Sequence, residues 1–492
     1  MELLFGDLHN HCGITYGYGA LHHALDNAAA HLDFAAITGH AMWPDMPPRN
    51  DETAFVIDFH EAGFAKLREH WDEVRAQVAA RNGQGLITLQ SYEMHSSRYG
   101  DHHLLSPDDH VQLIYRDSPA ELVRDCGAEA IAIPHHVGYV PGYRGISWAD
   151  FDESISPFVE VHSKHGNTMR TGGPFAYYHD MGPRDPRNTV QEGLRQGKRF
   201  SFAGSTDHHA GFPGAYGDGL TAVWADGRTR GDLWRALRLG RLYALTGDKM
   251  ICHLTVNDAP MGAQATGTRR TIACHIQGEA CIARVMLYKN GELIDVQAPL
   301  PAQRPLQRAK LRLEMGWGND EAPFRWEGSL HVKDGQLLNV HPYYRGRSVL
   351  SPTQRNISSA DDVNKLDNRL TYNGQQAQFI TETLRNVSTL HPLTNQYVFD
   401  VAGDENTQVT LTINGVTKQA RLRDIVRCGW GGQVKPWHSQ AWLMHTAVTA
   451  PEFTFEHTWQ DDKPQRDTDC YHVECEQENG QWAFLSPVYA HA

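Results

Sequence analysis

Six short apolar runs between residues 3 and 206 each finish on side chains able to bind a metal, and no other feature constrains the fold as tightly. The first leads into Asp7-Leu8-His9-Asn10-His11, the second into Thr38-Gly39-His40 and the third into Tyr92-Glu93-Met94-His95. The fourth ends at His135-His136, the fifth at Glu160-Val161-His162 and the sixth at Thr206-Asp207-His208-His209. Side chains alternate across a strand, so a His-x-His at a strand end turns both imidazoles to one side. A chain with 29 histidines in 492 residues holds one such pair by chance. Chance does not account for six strand ends finishing alike, because core histidines have no preference for one end of a strand.

The runs that read as strands are Leu3–Leu8, Asp33–Thr38, Gly85–Tyr92, Ala128–Pro134, Phe158–His162, Arg199–Thr206 and Leu242–Leu245. Helical patterns separate them. In Glu61–Asn82, Phe64, Leu67, Trp71, Val74 and Val78 step by three or four and mark one buried face, with Gly83 as the stop. Ala20–Leu32, Pro119–Cys126, Thr189–Gly197 and Gly231–Leu239 read as further helices. Strands alternating with helices imply parallel pairing, and seven such units imply a barrel or a strongly curled α/β sheet over residues 1–250.

From residue 251 to 492 the pattern changes. Asn257-Asp258, Asn290-Gly291, Asp334-Gly335, Asn373-Gly374, Asn414-Gly415 and Asn479-Gly480 punctuate short alternating runs. That is the pattern of an antiparallel, sandwich-like all-β region, with room for two subdomains.

Composition narrows the function. No stretch reaches the roughly 20 apolar residues of a membrane span. The start, MELLFGDLHNH, has no basic segment ahead of a long apolar run, so no signal peptide is expected. The 8 cysteines form no CxxC pair, and the expectation is reduced thiols in a cytoplasm. A net charge of -13 argues against nucleic acid as a partner, while a metal cluster can still make a locally positive pocket for a small anion. There is no GxSxG, no Walker-type phosphate loop and no strand–GxGxxG–helix unit. Gly211–Gly217 is glycine-rich, but Pro213 makes it a poor phosphate cradle.

The order of these motifs resembles the PHP (polymerase and histidinol phosphatase) superfamily, in particular its large bacterial members with a β-rich C-terminal region. The resemblance covers about residues 4–210. It implies a distorted seven-stranded (β/α) barrel, two or three Zn, Mn or Fe ions, and hydrolysis of phosphate esters. It further implies that His9, His11 and Asp207 hold one metal, that Glu93 bridges to a second, and that His135 and His162 complete the second site. His40 and His209 would form a third site or face the substrate. Two positions depart from the family. Many members have an Asp where this chain has Gly39, and the place of another third-site ligand is Gly17. His22, His23 and Asp45 are the substitutes within reach, and two tightly bound ions are expected.

Imidazole-rich ligation suits Zn, Mn or Fe better than Mg or Ca. Two such ions can share a hydroxide near neutral pH, which removes the need for a Ser or Cys nucleophile. Beside Asp207 at the reacting centre, His40 and His209 are the candidates for general acid or oxyanion contact. Arg98, Arg144, Lys164, His165 and Arg170 lie in the long loops and are candidate contacts to an anionic small-molecule substrate. Trp43 with Pro44 and Pro47 is a candidate pocket wall. By alternation His136 and His208 turn away from the ligands, and with His95 they read as supporting residues. The leading expectation is a phosphoesterase acting on a small organic phosphate. A hydrolase of a lactone, carboxylic ester, amide or sulfate ester, and a non-catalytic binding protein, are the alternatives. A homo-oligomer fits either enzymatic reading.

Overall fold

In the computed structural model the described residues are 1–127, 129–175, 182–299, 304–349 and 362–492. Ala128, the first residue of one expected strand, and part of the long loop expected over 163–188 lie outside them.

The N-terminal half is α/β. Its strands are β1 (Glu2–Asp7), β2 (Phe34–Ala36), β3 (Gly39–Met42), β4 (Ile87–Met94), β5 (His102–Ser106), β6 (Ile131–Pro134), β7 (Phe158–Ser163), β8 (Gly166–Asn167), β9 (Ser201–Gly204), β10 (Leu220–Ala225) and β11 (Leu242–Leu245). Its helices are α1 (Leu21–Ala29), α2 (Ala54–Arg81), α3 (Pro119–Asp125), α4 (Val190–Arg195) and α5 (Arg230–Arg238). Helix starts follow local chemistry. Ser118, Thr189 and Thr229 each accept a backbone N–H three residues on, with an acid in the first turn. Helix α2 begins seven residues before the expected Glu61, and its apolar face extends back through Ile57. Trp71 on that face meets Tyr92 edge-on at 5.5 Å.

The expected distorted seven-stranded (β/α) barrel is not seen as one closed sheet: no sheet among the described residues closes. One sheet contains the run β11-β10-β1-β2-β4-β5-β6 and ends at β6, while β8, β7 and β9 form a separate three-stranded sheet. Among the described strands of this half, β1/β2, β2/β4, β3/β4 and β7/β9 pair in parallel. β4 and β5 are antiparallel because residues 95–101 between them are too few for a crossover.

The C-terminal half is β-rich and spread over several sheets. Asn257-Asp258, Asn290-Gly291 and Asn414-Gly415 take the positive φ of tight hairpin turns, as expected. Asp334-Gly335 does not turn the chain. It makes a bulge inside the long strand Phe324–Tyr343, with Asp334 at φ 59°. The strand Trp482–His491 pairs directly with β11, so one sheet crosses the expected boundary at residue 250. Buried Asp248 gathers this junction. It accepts hydrogen bonds from Tyr216 Oη (2.9 Å), Arg312 Nη2 (2.8 Å), Gln477 Nε2 (2.9 Å) and Asn479 Nδ2 (2.7 Å). All eight cysteines are free thiols, and no described helix is long and apolar enough to cross a membrane.

Candidate metal centre

Backbone hydrogen bonds bring the two ends of the 1–210 segment together. Asp207 N–H donates to His9 O and His11 N–H to His208 O, each at 2.7 Å. Asp7 holds the pair from behind, accepting from Thr206 Oγ1 (2.6 Å), Gly214 N (3.0 Å) and Thr206 N (3.1 Å). Burial pushes the Asp7 carboxyl up to about 6, despite those hydrogen bonds from Thr206 and Gly214. Strand register supplies the rest. Glu93 on β4 lies opposite His40 on β3 and His103 on β5. Residues directly opposite share a face, so the three form one row.

The result is a cage of four buried donor atoms. His9 Nε2 and His11 Nε2 are 3.1 Å apart, and Asp207 Oδ1 is 3.0 Å from His11 Nε2 and 3.5 Å from His9 Nε2. Glu93 Oε2 is 3.4 Å from His11 Nε2 and 3.5 Å from His9 Nε2. A tetrahedron with ~2.0 Å metal–ligand bonds has edges of about 3.3 Å. Glu93 Oε2 is buried without a hydrogen bond, although three imidazoles surround it. A bound cation satisfies such an oxygen, and the donor set therefore fits a divalent metal.

Electrostatics agree. Burial opposes charge on Glu93, but His40, His95 and His135 hold its carboxyl well below the usual range. Burial likewise opposes Asp207, and His9 and His165 pull it well down. Burial and the neighbouring His11 keep His40 neutral, and burial with Lys164 does the same for His209. Burial works against charge on His9, yet Asp207 and Glu160 raise it well above its ordinary value. Ionised carboxylates and neutral imidazoles are the states that bind metal, and His9 must release its proton to do so.

Of the expected site residues, His9, His11, His40, Glu93, His135, Asp207 and His209 come together. His11, His40 and His209 form one close group, as do His40, Glu93 and His95. His135 Nε2 lies 3.2 Å from Glu93 Oε1. His162 is not brought to the cluster. Its Nε2 lies 3.5 Å from Gly217 O and its ring packs on Phe175 at 4.7 Å. A register shift between Glu160 and His162 breaks the alternation of β7, so the two side chains diverge. Glu160 faces the cage instead, with Oε2 2.9 Å from His9 Nδ1.

His95 and His136, expected as supporting residues, and His103, which the sequence reading misses, also lie at the cluster. His103 Nδ1 lies 3.4 Å from His135 Nδ1, and His95 Nδ1 lies 3.4 Å from Glu93 Oε1. His136 does not turn away, because its φ of 53° brings Nε2 within 3.6 Å of Asp207 Oδ2. His208 is buried outside these contacts, its Nδ1 accepting from Ala210 N. Among the expected substrate contacts, His165 Nε2 is 3.2 Å from Asp207 Oδ2, Lys164 Nζ is 3.1 Å from His209 Nδ1 and Arg144 Nη1 is 3.4 Å from His95 Nδ1. Arg98 is exposed and stacks on Tyr99 at 4.9 Å, while Arg170 pairs with buried Glu474. The Trp43 ring lies 5.7 Å from the His95 ring.

Gly39 and Gly17, where the motif pattern departs from the resemblance, are closely packed. A Cβ on Gly39 would lie 2.9 Å from Leu67 Cδ1, and one on Gly17 would lie 2.6 Å from Cys12 O. At Gly17 the obstacle is backbone, whereas at Gly39 it is the tips of the Leu67 and Ile14 side chains, which would have to shift. The His22 and His23 rings on α1 lie 4.0 Å apart at a tilt of 49°, and Asp45 is engaged by the backbone N–H groups of Ser97 and Arg98.

No protein-family model matches the chain. Uncharacterised proteins of Chlamydia are similar to it over 173 residues. The one from Chlamydia pneumoniae is 30% identical, and those from Chlamydia muridarum and Chlamydia trachomatis are 27% identical. Each match covers 32% of this chain and only 28% of the relative. A solved two-domain protein from Bacteroides vulgatus, described as containing a predicted PHP-like metal-dependent phosphoesterase, is similar at 12% identity and a TM-score of 0.31. That similarity covers 85% of this chain and 95% of the other, at a score too low to argue from.

Proposed function

We propose that the protein is a metal-dependent hydrolase acting on a small anionic ester, in the first instance a phosphate ester. The observation that carries this reading is the buried cage of His9, His11, Glu93 and Asp207, with donor spacings of 3.0–3.5 Å. The order of strand-end motifs, which resembles the PHP superfamily, supports it. When bound, divalent Zn, Mn or Fe supplies Lewis acidity and lowers the pKa of water towards 7.

The protein's own groups do the rest. Glu93 and Asp207 offset the cationic charge, and the near-complete burial of the cluster excludes bulk water. His40 donates or accepts at Nδ1 with Thr15 Oγ1 (3.1 Å), which leaves Nε2 for the cage. Held neutral, His40 serves as a ligand rather than as a general acid. The Lys164 ammonium beside His209 and the Arg144 guanidinium beside His95 flank the cage with positive charge. Both can clamp an anionic group or a leaving oxygen.

Metal-free protein reloaded with Zn, Mn or Fe tests the proposal on p-nitrophenyl phosphate, p-nitrophenyl acetate and a lactone panel. Metal-dependent release from the phosphate ester is expected. Cleavage confined to the carboxylic ester or lactones would move the substrate class, and a protein that retains no metal would end the hydrolase reading.

A further inference from the structure

The β-rich half reaches the histidine cluster through main-chain atoms. Lys164, just after β7, lies with Nζ 3.1 Å from His209 Nδ1 and donates to Val349 O at 3.0 Å. Val349 follows the strand Phe324–Tyr343 and is buried with Val363 and Ala210 in a small apolar cluster against Tyr18. His209 belongs to the close group with His11 and His40. Lys164 therefore spans from that group to a carbonyl of the other half.

A buried asparagine fixes the two walls that Lys164 spans. Asn364 is 3% exposed. Its Oδ1 accepts from Arg347 N–H at 2.6 Å, and its Nδ2 donates to Arg347 O at 2.9 Å and to Ala210 O at 2.7 Å. One amide thus grips the backbone shortly before Val349 and the backbone directly after His209, using both of its N–H donors. Asn364 sits at φ 57°, a conformation that asparagine adopts more readily than most side chains. Asn27 on α1 secures the clamp from behind, its Nδ2 donating to Asn364 O at 2.9 Å and to Gly211 O at 3.0 Å.

We propose that the β-rich half completes the anion-recognition site: Asn364 is a positioning residue that sets the gap between Val349 O and His209, and Lys164 bridges this gap to meet the substrate. The inference rests on the reading above, in which Lys164 clamps an anionic group, and adds that the clamp is held from outside the N-terminal half. A lysine side chain is costly to order, so an ammonium already anchored on a fixed carbonyl gives up less freedom when an anion binds. Arg144, the other flanking cation, is anchored within the N-terminal half, on Asp101 Oδ2 at 2.9 Å.

The test uses the full chain loaded with Mn, with inorganic phosphate as the probe and calorimetry as the measure of affinity. Lys164→Met removes the ammonium. Asn364→Gly removes the clamp while suiting the positive φ, and Asn364→Ala is the second variant should that one fail to fold. Each is expected to bind phosphate about tenfold or more weakly than wild type, at unchanged metal content. Lys164→Met combined with Asn364→Gly should bind no more weakly than Lys164→Met alone, because Asn364 acts through Lys164. With p-nitrophenyl phosphate the loss should appear in KM more than in kcat, a division that a merely structural joint would not produce. Wild-type phosphate affinity in Lys164→Met or in the Asn364 variants overturns the inference and leaves the hydrolase reading standing. Losses that simply add in the double variant, or a fall in metal content in the Asn364 variants, overturn it in the same way. A wild type that retains no metal defeats both.

Discussion

Glu160 Oε2 lies 2.9 Å from His9 Nδ1, and this contact decides which nitrogen of His9 faces the cage. A carboxylate on the outer nitrogen of a metal-binding imidazole fixes the tautomer and raises the basicity of the inner one. Glu160→Gln keeps the shape and removes the charge. We expect its Zn affinity to fall about 10–100-fold with the fold unchanged, as read by competition against a chromophoric chelator.

The cage itself is tested by His9→Ala and Asp207→Ala. Each removes a donor from a set of four, and each is expected to lose the metal of that cage and nearly all turnover. Elemental analysis with wild-type metal content in both variants would refute the assignment.

Gly39→Asp restores the residue common in the resembling family and should not create a ligand. The new Cβ would meet Leu67 Cδ1 at 2.9 Å and Ile14 Cδ1 at 3.1 Å. Overpacking of this kind costs about 1–3 kcal/mol before the burial of a carboxylate is added. A urea midpoint equal to wild type, or an added equivalent of metal, would contradict this.

His31 sets part of the acid limit of stability. Burial, with the positive charge of nearby Lys249, pushes its pKa down to about 3, while its Nε2 stays 3.0 Å from Pro213 O. Below its unfolded value of 6.5 the unfolded chain takes a proton that the folded one refuses. Stability is therefore whole above about pH 6.5 and falls by about 1.4 kcal/mol per unit as pH drops towards 3. His31→Gln preserves a donor to Pro213 and removes this contribution. Between pH 6.5 and 4.5 wild type should lose about 2 kcal/mol more than the variant, measured by chemical denaturation.

Asp248→Ala strands Arg312 in the interior, where it also donates to Gln396 Oε1 at 2.7 Å. Removing one member of a buried ion pair typically costs about 3–5 kcal/mol. A thermal or urea midpoint within error of wild type would show that solvent reaches the guanidinium.

Much of the metal centre was legible because strand-end histidines announce themselves by position. His9, His11, His40, Glu93, His135, Asp207 and His209 all meet, and strand β11 has its expected bounds. What stayed hidden depends on pairing. The run His102–Ser106 reads as loop because two histidines precede its short apolar stretch, yet it pairs on both edges as β5. His103 was overlooked with it. The bulge in β7 is equally invisible to alternation, which puts Glu160 and His162 on one side. The Asp334-Gly335 bulge was taken for a turn for the same reason, since either structure favours glycine.

The pairing of β11 with Trp482–His491 has a consequence for how the chain reaches its native state. Thr246 Oγ1 donates to Gln481 Oε1 across 235 residues of sequence, beside that strand contact. Contacts so distant in sequence form late, because a large loop must close before they contribute. During synthesis the half that carries the histidine cage leaves the ribosome with one sheet edge bare, and it waits for its covering strand through most of the remaining translation.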